Sequence, residues 1–164
     1  MSSLHIRRAT AEDFAKIWPT LQAIAASGEV FAWPADVSFE LARHLWMELP
    51  QISCVAERDG LILGSYYVKP NQMGGGDHVC NAGYAVAEAA RGQGVAAALC
   101  EHSQQQARDL GFTAMQFNFV VSSNESAVHL WTRLGFETVG RLPQAFAHPR
   151  LGLVDALVMF KRLD

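Results

Sequence analysis

No stretch of this chain is apolar over the roughly 20 residues that a membrane-crossing helix needs, so no membrane partner is expected. Basic residues are not in excess. There are 13 Lys and Arg against 16 Asp and Glu, a net charge of −3 with both signs mixed. Nucleic acid, which wants a basic face, is therefore not an expected partner. The opening residues MSSLHIRRAT lack the apolar core of an export signal. Cysteine is scarce. Cys54, Cys80 and Cys100 sit in apolar or helical surroundings without metal-ligand spacing, so no metal site is expected and reduced, buried thiols fit a cytoplasmic protein. Repeats, linkers and low-complexity segments are missing too. What is present is a chain of 164 residues, half of them hydrophobic, which reads as one globular domain over 1–164.

The stretch NAGYAVAEAARGQGVAAALCEHSQQQARDL organises the rest. Residues 81–86 read as a strand. Arg91-Gly92-Gln93-Gly94 then turns the chain into a helix, with Val95, Ala98, Leu99, His102, Gln106 and Leu110 near the 3.6 period. Glycine at 92 and 94 allows positive φ and close approach by another molecule. A strand, a glycine corner and a helix N-terminus leave unpaired N–H groups that favour an anion, typically a phosphate or pyrophosphate. Arg91 adds a charge that can fork onto phosphate oxygens. A Rossmann fingerprint is excluded by spacing and a missing third glycine, and a P-loop by the absence of Gly-Lys-Ser/Thr. An ordinary strand–helix corner explains the same residues, so the loop alone does not decide.

Residues 4–8 alternate as a first strand. Thr10 caps a helix with Phe14, Ile17, Trp18, Leu21 and Ile24 on one face, and Pro19 is expected to kink or break it. Residues 29–36 form an irregular loop. Ser38 caps a second helix that stops before Pro50. Residues 52–58 and 61–68 are a hairpin about Asp59-Gly60, and 69–76 is a loop. A strand over 77–86 leads into the glycine corner and its helix. After Gly111 come a strand over 113–121, a helix over 122–134 and a strand over 137–142. A loop over 143–152 and a last strand over 153–162 complete the order.

That order, with RGQGVA followed by SSNESAVHLWTRLGFE, resembles the GNAT superfamily of acyl-CoA-dependent N-acetyltransferases over nearly the whole chain. Arg91-x-x-Gly94-x-Ala96 matches the family's pyrophosphate loop. Asn124-x-x-Ala127 with Gly135-Phe136 matches its second motif. The segments around Asn81, Asn118, Pro143, His148 and Asp155 resemble the branch holding the fungal proline-analogue (azetidine-2-carboxylate) acetyltransferases. The resemblance implies an α/β fold: a central, mostly antiparallel sheet of about seven strands with one splayed parallel pair, and about four helices. It implies acetyl-CoA as cosubstrate. The pantetheine arm would pair with the backbone at Tyr84 and Val86, the pyrophosphate would sit on Gly92, Gly94, Val95, Ala96 and Ala97 beside Arg91, and Asn124 would contact the cofactor. Asn124 reads equally well as a helix N-cap. Asn81 and Asn118 would be the catalytic contacts, to substrate or to a catalytic water. The family's tyrosine general acid falls at Trp131, where an indole donates but does not titrate.

The reaction so implied is attack of a neutral amine on a thioester. It needs proton removal, an oxyanion site and a leaving thiol. Asn81 and Asn118 cannot titrate, but they can orient a water that carries the proton away; each also reads as a structural hydrogen bond. Phe31 and Trp33 with Glu29 and Asp36 can line a pocket for a small cationic substrate, and each aromatic can equally pin its loop. His148 is a further substrate-side candidate, as a loop histidine that titrates near neutrality or as a structural one. The expected activity is acetylation of a small amino- or imino-acid-like amine. A protein or peptide amine, or a non-catalytic acyl-CoA sensor, remain alternatives, and a homodimer is left open.

Overall fold

The computed structural model describes residues 2–164. Its main elements are β1 (His5–Arg8), α1 (Phe14–Ser27), α2 (Phe39–Arg43), β2 (Ile52–Arg58), β3 (Leu61–Pro70) and β4 (Val79–Val86). They continue with α3 (Val95–Asp109), β5 (Ala114–Val121), α4 (Glu125–Arg133), β6 (Glu137–His148) and β7 (Gly152–Arg162). The strands form one sheet in the order β1-β2-β3-β4-β5-β7-β6. Every neighbour pair is antiparallel except β4–β5. This is the expected mixed α/β architecture.

The two faces of the sheet carry separate cores. Phe14, Ile17, Leu21 and Ala25 recur at helical spacing on α1 and pack with Val37, Trp46, Val55 and Ala85. On the other face Val95, Leu99 and Cys100 of α3 and Trp131 of α4 close over Cys54, Tyr66, Val68, Met115 and Phe117. The α1 register is held from its start. Asp13 accepts from the Thr10 N–H at 2.7 Å and pairs with Arg7 at 2.7 Å. Arg7 also reaches Glu57 on β2.

Three local expectations are revised. α1 runs unbroken past Pro19. Pro19 and Ala15 are exposed, so the carbonyl freed by the missing N–H meets water. The second helix is capped by Ser38 as expected, its Oγ accepting from the Leu41 N–H at 3.1 Å. Its second half, His44–Glu48, widens into a π-helix. The expected loop over 143–152 is largely strand. β6 continues to His148, and a bulge between Leu142 and Phe146 absorbs Pro143, Gln144 and Ala145. Proline is tolerated there because β6 is the outermost strand, and the Gln144 N–H turns onto Asp155 Oδ1 at 2.9 Å.

The feature that positions the site is the junction of β4 and β5. They pair only over Val79↔Ala114, Cys80↔Met115 and Asn81↔Gln116. Beyond that rung the strands have no further register and the sheet is open. On its other side β5 also slips against β7, between Phe117 and Val120.

Candidate active site

At the mouth of the opening the chain passes from β4 through a short 3-10 turn (Glu88–Ala90) into the glycine corner. Gly92 has φ 76° and Gly94, the N-cap of α3, has φ 79°. A Cβ at either position would meet no atom within 4 Å, so glycine serves the backbone conformation and keeps the corner open to an approaching molecule. The first main-chain bond of α3 runs from the Ala98 N–H to the Gly94 oxygen at 3.1 Å. Among the described residues no protein acceptor takes the N–H groups of Gly92, Gln93, Gly94, Val95, Ala96 or Ala97. These are the donors that suit a diphosphate.

The opened edge of β4 also has unpaired main chain. The Asn71 N–H bonds the Val79 oxygen and the Ala87 N–H bonds the Leu63 oxygen. Odd-numbered β4 residues therefore turn their amides to β3, and alternation turns those of Ala82, Tyr84 and Val86 to the gap. At the apex Asn81 is buried, at 7 % exposure. Its Nδ2 donates to the Gln116 main-chain oxygen at 3.0 Å, and its Oδ1 accepts from the Tyr67 hydroxyl at 3.4 Å. The Tyr67 ring lies against Gly83, where a Cβ would sit 2.3 Å from the ring. Glycine at 83 is what lets the phenol cross the sheet to Asn81.

A cleft of about 1120 Å³ joins these parts. It runs from Arg91 and the glycine corner, past Tyr84, Val86 and Asn124, through the gap at Asn81 and Asn118 to the α1–α2 loop. Asn124 stands at the N-cap position of α4 but makes no side-chain cap. Only the Ser126 hydroxyl touches its Oδ1, at 3.3 Å. Asn118 sits in the β5 bulge. Its Nδ2 donates to Asn71 Oδ1 at 2.7 Å, and its Oδ1 accepts from Gln116 Nε2 at 2.9 Å.

At the far end Phe31 and Trp33 pack at 5.1 Å, and Trp46 lies 6.1 and 6.0 Å from them and 4.9 Å from Tyr67. The four rings form an aromatic wall. Glu29 closes it, held by Arg150 from the β6–β7 turn at 2.8 Å. His148 does not line the cleft. It is buried behind Glu29, with Nε2 3.9 Å from Oε1. Its Nδ1 accepts from the Arg150 and Leu151 N–H groups at 3.1 and 3.2 Å, which leaves the proton of a neutral imidazole on Nε2, facing Glu29.

Of the residues singled out from sequence, Glu29, Phe31, Trp33, Asn81, Tyr84, Val86, Arg91, Gly92, Gly94, Val95, Ala96, Ala97, Asn118 and Asn124 line this one cleft; His148 stands behind it. Sequence reasoning misses Trp46, Tyr67, Glu88 and Arg133, which also line it. Trp46 and Tyr67 carry no motif, and their place depends on strand register and the π-helical turn. Trp131 packs against Tyr84 and Phe117 at 5.0 and 5.1 Å.

The protonation chemistry is one-sided. The Tyr84 hydroxyl faces α3, 2.6 Å from Ser103 Oγ, and burial holds the phenol well above its ordinary pKa. Burial also raises Tyr67, and pushes the Cys80 thiol up to about 12. All three cysteines are buried and unpaired. Among the described residues no helix is long and apolar enough to cross a membrane.

A seven-stranded mixed sheet, opened at its one parallel junction beside an uncapped helix N-terminus, defines a class of acyl-transfer fold. The sequence pattern of the acetyltransferase (GNAT) family matches residues 11–136, and the chain belongs to that family. A GCN5-related N-acetyltransferase from Kribbella flavida has a similar structure, with TM-score 0.92 and 43 % identity over 97 % of both chains. N-acetyltransferase aca1 of Schizosaccharomyces pombe is 34 % identical over 84 residues, 51 % of this chain and 40 % of that protein. The match thus spans less than half of the curated relative; its fungal source fits the branch that the motifs resemble. The fold of yncA from Salmonella typhimurium, solved with its cofactor acetyl-CoA, is also alike, with TM-score 0.84 and 23 % identity over 99 % of this chain and 95 % of that one.

Proposed function

We propose that the protein is a cytoplasmic N-acetyltransferase that moves the acetyl group of acetyl-CoA onto the nitrogen of a small amino- or imino-acid-like amine. The observation that carries this is the open β4–β5 junction with six unclaimed amides at its mouth. The residues present fit the donor. Arg91 makes no ion pair among the described residues, the N–H groups of Gly92 to Ala97 meet no protein acceptor, and Asn124 keeps its side chain free of capping. Together they would hold the diphosphate and the start of the pantetheine arm. The gap-facing amides of Tyr84 and Val86 would bind the arm and polarise the carbonyl oxygen.

Acetyl-CoA supplies a thioester whose thiol, of pKa about 8.5, leaves without strong acid assistance. A tryptophan at 131 is compatible with that, and the Tyr84 hydroxyl is engaged elsewhere. The chain's task is the amine. A primary amine has a pKa near 10 and must shed its proton to attack. Asn81 and Asn118, at the inner end of the gap, would order a water that takes this proton to solvent as the C–N bond forms and the C–S bond breaks. Glu29, tied to Arg150, positions the aromatic loop. The aromatic wall favours a small, apolar acceptor body.

The test is release of free thiol from acetyl-CoA across a panel of amino acids, imino acids and polyamines. Acceptor-dependent release supports the proposal. Tight acetyl-CoA binding with no acceptor-dependent thiol would make the protein a sensor and overturn it.

A further inference from the structure

One cation on the strand that borders the Asn81 apex has no role in the scheme above. Lys69 lies on β3 directly opposite Asn81, two residues from Tyr67, so its side chain leaves the same face of the sheet. Its Nζ stands 5.6 Å from the centroid of the Tyr67 ring, which lines the cleft. Among the described residues Lys69 pairs with no carboxylate. Glu29, the anion that lines the aromatic end of the cleft, is matched by Arg150. A positive charge without a carboxylate partner therefore stands beside the Tyr67 ring, which lines the cleft.

The amides beside it are polarised the same way. Asn118 Oδ1 accepts from Gln116, and Asn71 Oδ1 accepts from Asn118. Both amide oxygens are thereby engaged, while the Asn71 amide and the second Asn118 N–H remain as donors. A lysine ammonium at the edge of a wall of aromatic rings, on the strand face that also carries free amide donors, suits an anion joined to a compact apolar body.

Resting on the acetyl-transfer reading, we infer that Lys69 is the specificity-determining residue that selects acceptors bearing a carboxylate. The ammonium and the Asn71 and Asn118 amides hold the carboxylate, Phe31, Trp33 and Tyr67 cover the hydrocarbon, and the acceptor nitrogen is left at the Asn81 apex. An amine without a carboxylate loses this anchor and leaves the lysine unpaired.

The experiment compares L-proline with pyrrolidine and L-phenylalanine with 2-phenylethylamine, which differ within each pair only in the carboxylate. Binding to the CoA-loaded protein is read from quenching of tryptophan fluorescence, and transfer from thiol release. At least one acid is expected to bind tenfold or more tightly than its decarboxylated partner. Lys69→Met removes that preference, Lys69→Arg keeps most of it, and acetyl-CoA affinity is unchanged in both, which also shows that both variants fold. A wild-type protein that binds neither acid, or binds the plain amines as well, overturns the inference. So does a preference that survives Lys69→Met. Thiol release with plain amines alone would sink the carboxylate anchor and leave acetyl transfer standing, whereas failure to bind acetyl-CoA would sink the transfer reading itself.

Discussion

Asn81 Nδ2 donates a hydrogen bond to the main-chain oxygen of Gln116, 3.0 Å away, on the last rung before β4 and β5 part. The side chain thus takes up a strand carbonyl at the point where the ladder ends. Asn81→Ala leaves that half-buried oxygen without its partner, and the expected cost is about 1 kcal/mol of stability. Turnover should fall tenfold or more, because the bond fixes where the gap starts. Asn81→Asp, which retains the shape but cannot donate, should share the defect. Urea unfolding and steady-state kinetics check this; a stable Asn81→Ala protein with full turnover would return the residue to bland packing.

The glycine corner gives a separable pair of variants. Gly94→Val places a β-branched residue at φ 79°, which is strained, and sets a side chain in space that is now empty. Acetyl-CoA affinity should drop at least thirtyfold. Arg91→Ala should weaken it about tenfold, near 1.4 kcal/mol, and flatten its dependence on salt. Calorimetric titration at two ionic strengths decides. Unchanged affinity in either variant would move the diphosphate away from this loop.

Tyr84 looks from its place in the cleft like a proton donor, yet its hydroxyl is bonded to Ser103 on α3 at 2.6 Å. Tyr84→Phe should keep turnover within a few-fold and lose about 1 kcal/mol of stability with the hydrogen bond. A hundredfold loss of turnover in a folded Tyr84→Phe protein would make it the acid after all.

Acid stability should follow the Arg7–Asp13 pair. The Arg7 guanidinium holds the Asp13 carboxyl down at about 2, from an ordinary 3.8, and the Thr10 N–H adds to this. A depressed carboxylate stabilises the fold fully above its unfolded value and loses that contribution as pH falls through the folded one. Asp13→Asn should thus be less stable at pH 7 by about 1–2 kcal/mol, with the gap closing between about pH 4 and pH 2. A gap independent of pH would contradict the assignment.

The parts of the site that lie together in the chain are legible in the sequence alone. Arg91, Gly92, Gly94 and the helix after them form one continuous run, so turn chemistry and helix-end electrostatics mark them as a candidate anion corner, and the family resemblance turns that candidate into a cofactor loop. The strands at 52–58 and 81–86 follow likewise from alternation about Asp59-Gly60 and the glycine corner. The aromatic end of the cleft is less legible because register makes it. Tyr67 reaches Asn81 only because Gly83 lies under its ring, and Trp46 joins the wall from a π-helical turn that a 3.6 period does not reveal. β6 is underestimated past Leu142 because Pro143 signals a loop, while an outermost strand accommodates it in a bulge. His148 reads as a loop side chain and is a buried strand residue behind Glu29.

The proposed acetyl transfer requires main-chain amides at the start of α3 to grip a diphosphate. Amide chemical shifts of nitrogen-labelled protein, recorded as acetyl-CoA is titrated in, test this most directly. The N–H signals of Gly92 to Ala97 should move furthest and exchange more slowly with solvent once saturated, together with those of Tyr84 and Val86 on the gap. Saturable acetyl-CoA binding that leaves all of these signals in place, with the shifts elsewhere on the molecule, would contradict it.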